Sequence, residues 1–232
     1  MGAQWKQKGR IENSAKRGVL ISKMVKEIIV ATRSGDPDPA NNSKLRAAVE
    51  AARRVSVPRE NIERAIKKGA GLLEPINYEL ITFEGFTPHK VPCIVECLTE
   101  NRNRTSADMR LMFKKGALGA TGSVAYMFNH VGRVEATHDN KTLDVETVAI
   151  EVGAQEVEKD EDVVSFICDM KDLIAVTKSL EETGWKVSSS DFIYAAKDPV
   201  DVSEEAKKEI GEFLTELDDN DDVHRIFTAL KA

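Results

Sequence analysis

The sequence predicts an α+β protein: an N-terminal three-helix domain and two ferredoxin-like α/β domains, one inserted in the other. Three observations predict it. Between residues 19 and 69, apolar residues form one-sided stripes at helical spacing in three segments. After Gly71 the pattern changes to short apolar runs that suit strands. Residues 131–194 then follow the order βαββαβ, which is the ferredoxin-like unit.

Residues 1–18 carry Trp5, Lys6, Lys8, Arg10, Lys16 and Arg17 with few apolar residues and read as a mobile basic arm. A first helix is expected over 19–33, where Leu20, Ile21, Met24, Val25, Ile28 and Ile29 share a face. Gly35 and Asp36-Pro37-Asp38-Pro39 end it. A second is expected over 43–55, with Leu45, Val49 and Ala52 inward and Asn42 or Ser43 as cap. The third runs over 58–68, with Pro58 at its first position, Gly69 at its stop, and Ile62, Ala65 and Ile66 inward.

Strands are expected at 78–84, 92–98 and 123–129. The helix between the last two, 105–115, takes Thr105 as cap and Asp108 in its first turn. In the inserted unit, strands are expected at 133–137, 155–158, 163–168 and 187–194, and helices at 143–152 and 171–183. Residues 203–217 form a helix with Ile210, Phe213, Leu214 and Leu217 on one face. The last element, 223–230, fits helical spacing, yet is short enough for a strand. As a strand it completes a second α/β unit from 78–129 and 203–230, interrupted by 131–200. The domain boundaries follow: 1–76, then 77–130 with 201–232, and 131–200 inserted.

Charge divides the chain unevenly. Residues 1–72 hold 16 Lys+Arg against 7 Asp+Glu, whereas residues 73–232 hold 17 against 32. A polyanion is drawn to one end and repelled by the rest. No apolar run reaches the ~20 residues of a membrane span, and residues 1–6 lack the apolar core of a signal peptide. The three cysteines, Cys93, Cys97 and Cys168, fit buried reduced thiols in a reducing cytosol or organelle matrix, and a cytoplasmic location is expected. Cys93 and Cys97 fall on one face of a strand. No metal-ligand spacing, dinucleotide fingerprint or nucleophile elbow occurs, and His89, His130, His138 and His224 are scattered. The chain is therefore read as non-enzymatic, with no cofactor, metal or small-molecule substrate.

The candidate binding residues are cationic. Arg46 and Arg53 lie seven apart on one helix face beside Arg54, while Arg59, Lys67 and Lys68 crowd the third helix and Lys23 and Lys26 flank the first. Together with the arm they could engage several phosphates, with steep salt dependence. The same charges also suit a solvated face with Glu60–Arg64 and Glu63–Lys67 pairs. A helix-turn-helix is compatible with the short link at Ser56-Val57, but Glu60 and Glu63 stand where base-reading side chains belong, so phosphate or RNA contact suits it better. Trp5 suits base stacking or anchoring onto the helices. Asn101-Arg102-Asn103-Arg104 suits either an anion at a helix N-terminus or a structural turn whose arginines meet Glu84 or another carboxylate. Asp218, Asp219, Asp221 and Asp222 read as a solvated acidic turn.

Three separated motifs resemble one family. They are Val57-Pro58-Arg59-Glu60-Asn61-Ile62-Glu63-Arg64-Ala65-Ile66-Lys67-Lys68-Gly69, then Phe83-Glu84-Gly85-Phe86 with Glu96-Cys97-Leu98-Thr99-Glu100-Asn101-Arg102-Asn103-Arg104-Thr105, and Gly122-Ser123-Val124-Ala125-Tyr126-Met127-Phe128. These resemble the YebC/PmpR family, which includes the mitochondrial translational activator of cytochrome c oxidase. Two departures mark a diverged paralogue. The arm between Lys6 and Ala15 is shorter and lacks His, and the family's Gly-Gly-Asn-Leu-Gly loop is here Gly116-Ala117-Leu118-Gly119. The resemblance implies three domains, the third inserted in the second, and a DNA-binding transcriptional regulator. Its alternative implication is a translation factor on ribosomal RNA. The family suggests that the glycine loop, Gly116–Ser123, is a flexible tip touching RNA; it equally suits a plain helix-to-strand turn. A protein-interaction module is the third reading, since fold alone does not fix function.

Overall fold

The computed structural model describes residues 14–74, 76–160 and 163–231. Their helices are α1 Ser14–Arg33, α2 Ser43–Arg54, α3 Arg59–Gly69, α4 Arg102–Met112, α5 Val145–Val152, α6 Leu173–Glu182 and α7 Glu204–Asp218. The strands are β1 Glu79–Phe86, β2 Pro92–Thr99, β3 Ala117–Leu118, β4 Phe128–Thr137, β5 Glu156–Asp160, β6 Val163–Cys168, β7 Lys186–Ala196 and β8 Val223–Thr228. The chain divides into two compact units, Met1–Met127 with Asp198–Ala232, and Phe128–Lys197. The helical segment and the first sheet belong to the same unit.

The first three helices pack Ile28, Ile29, Leu45, Val49, Ala52, Ile62 and Ala65 into one core. The first helix starts before the expected residue 19 because an apolar stripe locates a buried face, whereas Ala15, Lys16 and Arg17 extend the helix by propensity. Asn42 caps α2 by accepting from the Leu45 N–H at 3.0 Å, and its amide donates to the Ala31 and Asp36 carbonyls.

Both α2 and α3 close on the same paired C-terminal hydrogen bonds. At α2, Val57 donates to Ala52 and Ser56 to Arg53, both at 2.9 Å; at α3, Leu72 donates to Lys67 at 2.9 Å and Gly71 to Lys68 at 3.1 Å. The left-handed residues are Ser56 (φ 59°) and Gly71 (φ 75°). The stop of α3 therefore falls at Gly71 rather than Gly69. Gly69 is the closing helical residue, set so close to α1 that a Cβ there would lie 2.6 Å from the Thr32 Cβ. Pro58 precedes the helix as its cap residue, with ψ at 138°, rather than opening it.

The first sheet has strand order β3-β1-β2-β8. Residues 223–228 are thus a strand, antiparallel to β2 with Cys93 opposite Thr228 and Cys97 opposite Val223. Residues 123–127 are not the expected strand. The Glu84 carboxylate accepts the N–H groups of Gly122, Val124 and Ala125 at 2.6, 2.9 and 2.8 Å, which removes them from any ladder. Strand β4 begins only at Phe128 and absorbs the segment expected at 133–137. Helix α4 starts earlier than expected, because Asn101 and not Thr105 caps it, accepting from the Arg104 N–H at 3.1 Å. Asp108 consequently sits in the middle of the helix.

The second unit has strand order β5-β6-β4-β7, all pairs antiparallel. Strands β4 and β5, joined through α5, are separated by β6, as the ferredoxin-like split βαβ requires. Val134, Phe166, Leu173, Val176, Leu180 and Trp185 form its core, with the Phe166 and Trp185 rings edge-on at 5.1 Å.

Candidate nucleic-acid interface

Helix periodicity puts Leu45, Val49 and Ala52 inward on α2, so Arg46, Arg53 and Arg54 must point out, and all three are exposed. Arg46 braces the preceding loop, donating to the Pro39 carbonyl at 3.1 Å and the Ala40 carbonyl at 3.3 Å. Neither Arg53 nor Arg54 forms an ion pair among the described residues. On α3, Arg59, Arg64 and Lys67 are exposed and Lys68 is half-buried. The acidic residues of α3 do not neutralise this face as their spacing suggests. Glu63 turns back to Arg59 at 2.7 Å instead of forward to Lys67, and Arg64 and Lys67 have no ion pair among the described residues.

Lys23 and Lys26 depart from the expected cationic face. Both are about 8% exposed, because the α1 face that carries them is covered by the turn after α7. Lys23 holds Asp218 at 3.0 Å, and Lys26 holds Asp222 at 2.7 Å while donating to the Leu98 and Asp221 carbonyls at 3.2 and 2.9 Å. Phosphate cannot reach ammonium groups held this way. The turn 218–222 is only in part a solvated acidic loop: Asp219 and Asp221 are exposed, whereas Asp222 is 3% exposed.

Asp222 is the centre of this junction. It accepts from Lys26, from Arg104 at 2.9 Å, from the Thr105 hydroxyl at 2.8 Å and from the Thr99 hydroxyl at 3.3 Å. Burial raises the pKa of its carboxyl, but the hydrogen bonds from Lys26, Arg104 and Thr105 outweigh burial and hold it below the ordinary carboxylate value. The same bond raises the Arg104 guanidinium pKa. Arg104 therefore serves the structural alternative, with Asp222 rather than Glu84 as its carboxylate. Arg102 remains exposed with no described ion pair.

Trp5, Lys6, Lys8 and Arg10 lie outside the described residues, as does the side chain of Lys16; Arg17 is exposed on α1. The glycine loop is pinned rather than free, since Gly119 donates to the Glu84 carbonyl at 2.8 Å in addition to the three bonds to the Glu84 carboxylate. Burial raises the Glu84 pKa, and the backbone donors overcome it and lower the net value. No sequence signal singled out Asp222 or the capture of three N–H groups by Glu84, because both join segments far apart in the chain.

All three cysteines are buried thiols, and burial pushes Cys93 and Cys97 up to about 12 and Cys168 to about 11. Among the described residues, no three His, Cys, Asp or Glu side chains are placed to hold a metal ion, and no helix is long and apolar enough to cross a membrane.

A three-helix segment with an outward cationic face, joined to two α/β sheets of this topology, defines a class of multidomain α+β proteins. The chain belongs to the TACO1/YebC family: residues 2–72 match "TACO1/YebC protein N-terminal domain" and residues 78–230 match "TACO1/YebC second and third domain". Among its relatives, a "probable transcriptional regulatory protein" of Pseudomonas fluorescens (strain Pf0-1) is 49% identical over 99% of both chains. One of the same description from Bdellovibrio bacteriovorus is 45% identical, covering 99% of this chain and 100% of that one. The crystal structure of a conserved hypothetical protein from Aquifex aeolicus superposes with a TM-score of 0.80 at 38% identity, covering 99% of this chain and 96% of the other.

Proposed function

We propose that this protein is a non-enzymatic, cytoplasmic regulator of gene expression that binds nucleic acid through its helical segment, as a DNA-binding transcriptional regulator. The observation that carries the reading is the outward face of α2 and α3, where Arg53, Arg54, Arg64 and Lys67 have no ion-pair partner among the described residues. Unpaired guanidinium and ammonium groups on adjoining helices suit phosphates, whose release of counterions drives association. The names of the relatives support a regulatory role. In this reading the chain is organised as a helical domain over 1–76, an α/β domain from 77–130 with 201–232, and an inserted domain over 131–200. The acidic α/β part limits indiscriminate wrapping of polyanions.

One observation favours a second reading, a translation factor on ribosomal RNA. Glu60 and Glu63 are exposed on the early turns of α3, and Arg59 is held by Glu63. A helix so arranged contacts phosphates rather than base edges. Sedimentation with ribosomes across a salt series, with duplex DNA as competitor, separates the two: retention despite DNA selects the ribosome, and loss to DNA selects transcription. Replacing Arg53, Arg54 and Lys67 by Gln should weaken either complex and lower the magnitude of its log–log salt slope by about 3. Unchanged binding by a variant that melts like the parent would refute this face.

A further inference from the structure

Between α1, Tyr78, α4 and the turn after α7 lies an open groove of ≈ 540 Å³. Its walls are uneven in charge. Lys26 and Arg104 are already engaged by Asp222. Glu100, Asp108 and Asp221 also line it, and none of these side chains forms an ion pair or hydrogen bond among the described residues. The Tyr78 hydroxyl likewise has no hydrogen bond there, and burial followed by the nearby Glu100 and Asp222 charges raises its pKa. Three carboxylates without a partner among the described residues, around a groove with an aromatic wall, suit a cationic occupant.

The position of the groove along the chain supplies the cation. Val19 and Ser22 of α1 line it. The helix begins at Ser14, about 7.5 Å from Val19 at 1.5 Å per residue. Residues 1–13 precede it and carry Lys6, Lys8 and Arg10 against the single acid Glu12, with Trp5 among them. Thirteen residues can reach roughly 40 Å when extended, so the segment is long enough to reach a groove lined by Val19 and Ser22.

We propose that this groove is the seat of the chain's own N-terminal arm, residues 1–13, and that a polyanion competes for the arm and draws it out. The arm is then a cationic peptide shared between two sites: the acidic groove when the protein is alone, and phosphates when nucleic acid is present. Docking of the arm stands by itself; the competition rests on the nucleic-acid reading above.

The test is zero-length carbodiimide cross-linking of the full chain, followed by peptide mapping. Amides joining Lys6 or Lys8 to Glu100, Asp108 or Asp221 are expected at low salt and should fade at high salt. The exposed Lys115–Glu216 pair supplies an internal control. Control cross-links without arm cross-links, or arm cross-links only to other surfaces, overturn the proposal. Mixing ordinary with 15N-labelled protein identifies exchange between copies, and mixed-isotope arm links would overturn it too. The variant Glu100→Gln, Asp108→Asn, Asp221→Asn should lose the arm links. It should also bind nucleic acid severalfold more tightly at low salt. Arm links in a protein that binds neither DNA nor RNA would leave the groove assignment standing and remove the function proposed above, so the two failures are distinguishable.

Discussion

Replacing Asp222 by Ala tests the junction on which the first unit turns. The carboxylate is 3% exposed and receives Lys26 at 2.7 Å, Arg104 at 2.9 Å and the Thr105 hydroxyl at 2.8 Å. Its removal leaves the Lys26 ammonium in the interior with only the Leu98 and Asp221 carbonyls. Breaking a buried ion pair from one side costs about 3–5 kcal/mol, and the two remaining carbonyls place this case near 3. For a chain of this size that corresponds to a fall in Tm of about 6–12 °C, read by calorimetry. Lys26→Met should cost less, since Asp222 keeps Arg104 and the threonines. The double variant should reveal a coupling of about 1–3 kcal/mol. The acid side carries a sign. The folded pKa of Asp222 is lowered, so its stabilisation is present above the unfolded value near pH 4 and disappears as pH falls through the folded one. The gap between Asp222→Ala and parent should therefore narrow below about pH 4. A melt within 2 °C of the parent (under about 1 kcal/mol), or purely additive single variants, would refute the reasoning.

Glu84→Gln replaces one acceptor oxygen facing Gly122, Val124 and Ala125 with a donor, so amide exchange at those residues should accelerate and stability fall by about 2 kcal/mol. Ser56→Gly relieves a left-handed serine and should raise stability by about 1 kcal/mol in urea unfolding. Gly69→Ala forces α3 away from Thr32 and the Ile29 carbonyl, and should lower stability by about 1–3 kcal/mol. A thiol reagent at pH 8 should label no cysteine in the native protein and all three after denaturation, because each thiol is buried and its pKa lies near 11 or 12.

The fold was legible wherever one local signal decided it. The apolar stripe of α3, the βαββαβ order of the second unit and the strand at 163–168 each follow from period and turn residues alone. Residues 123–127 and 223–228 were not decided this way. The first loses its ladder to Glu84, forty residues or so upstream. The second is a strand because β2 offers an open edge, although Val223, Ile226 and Phe227 also fit a helix. Tertiary context chose in both cases.

The proposed binding face shows the same limit in terms of charge. The surplus of cations in residues 1–72 is a property of composition, but what a phosphate meets is the part no carboxylate has taken. Lys23 and Lys26 belong to that surplus in sequence and are removed from it by Asp218 and Asp222, which lie about 195 positions away. Arg104 is removed by the same Asp222. Arg53, Arg54, Arg64 and Lys67 stay at the surface because the face opposite them is apolar and turned into the helical core. Helical period can identify that outward face, but not the lysines that a distant acidic turn buries. The turn thereby concentrates the available charge on α2 and α3, so charge reversal there should weaken binding, whereas Asp222→Ala should act first on folding.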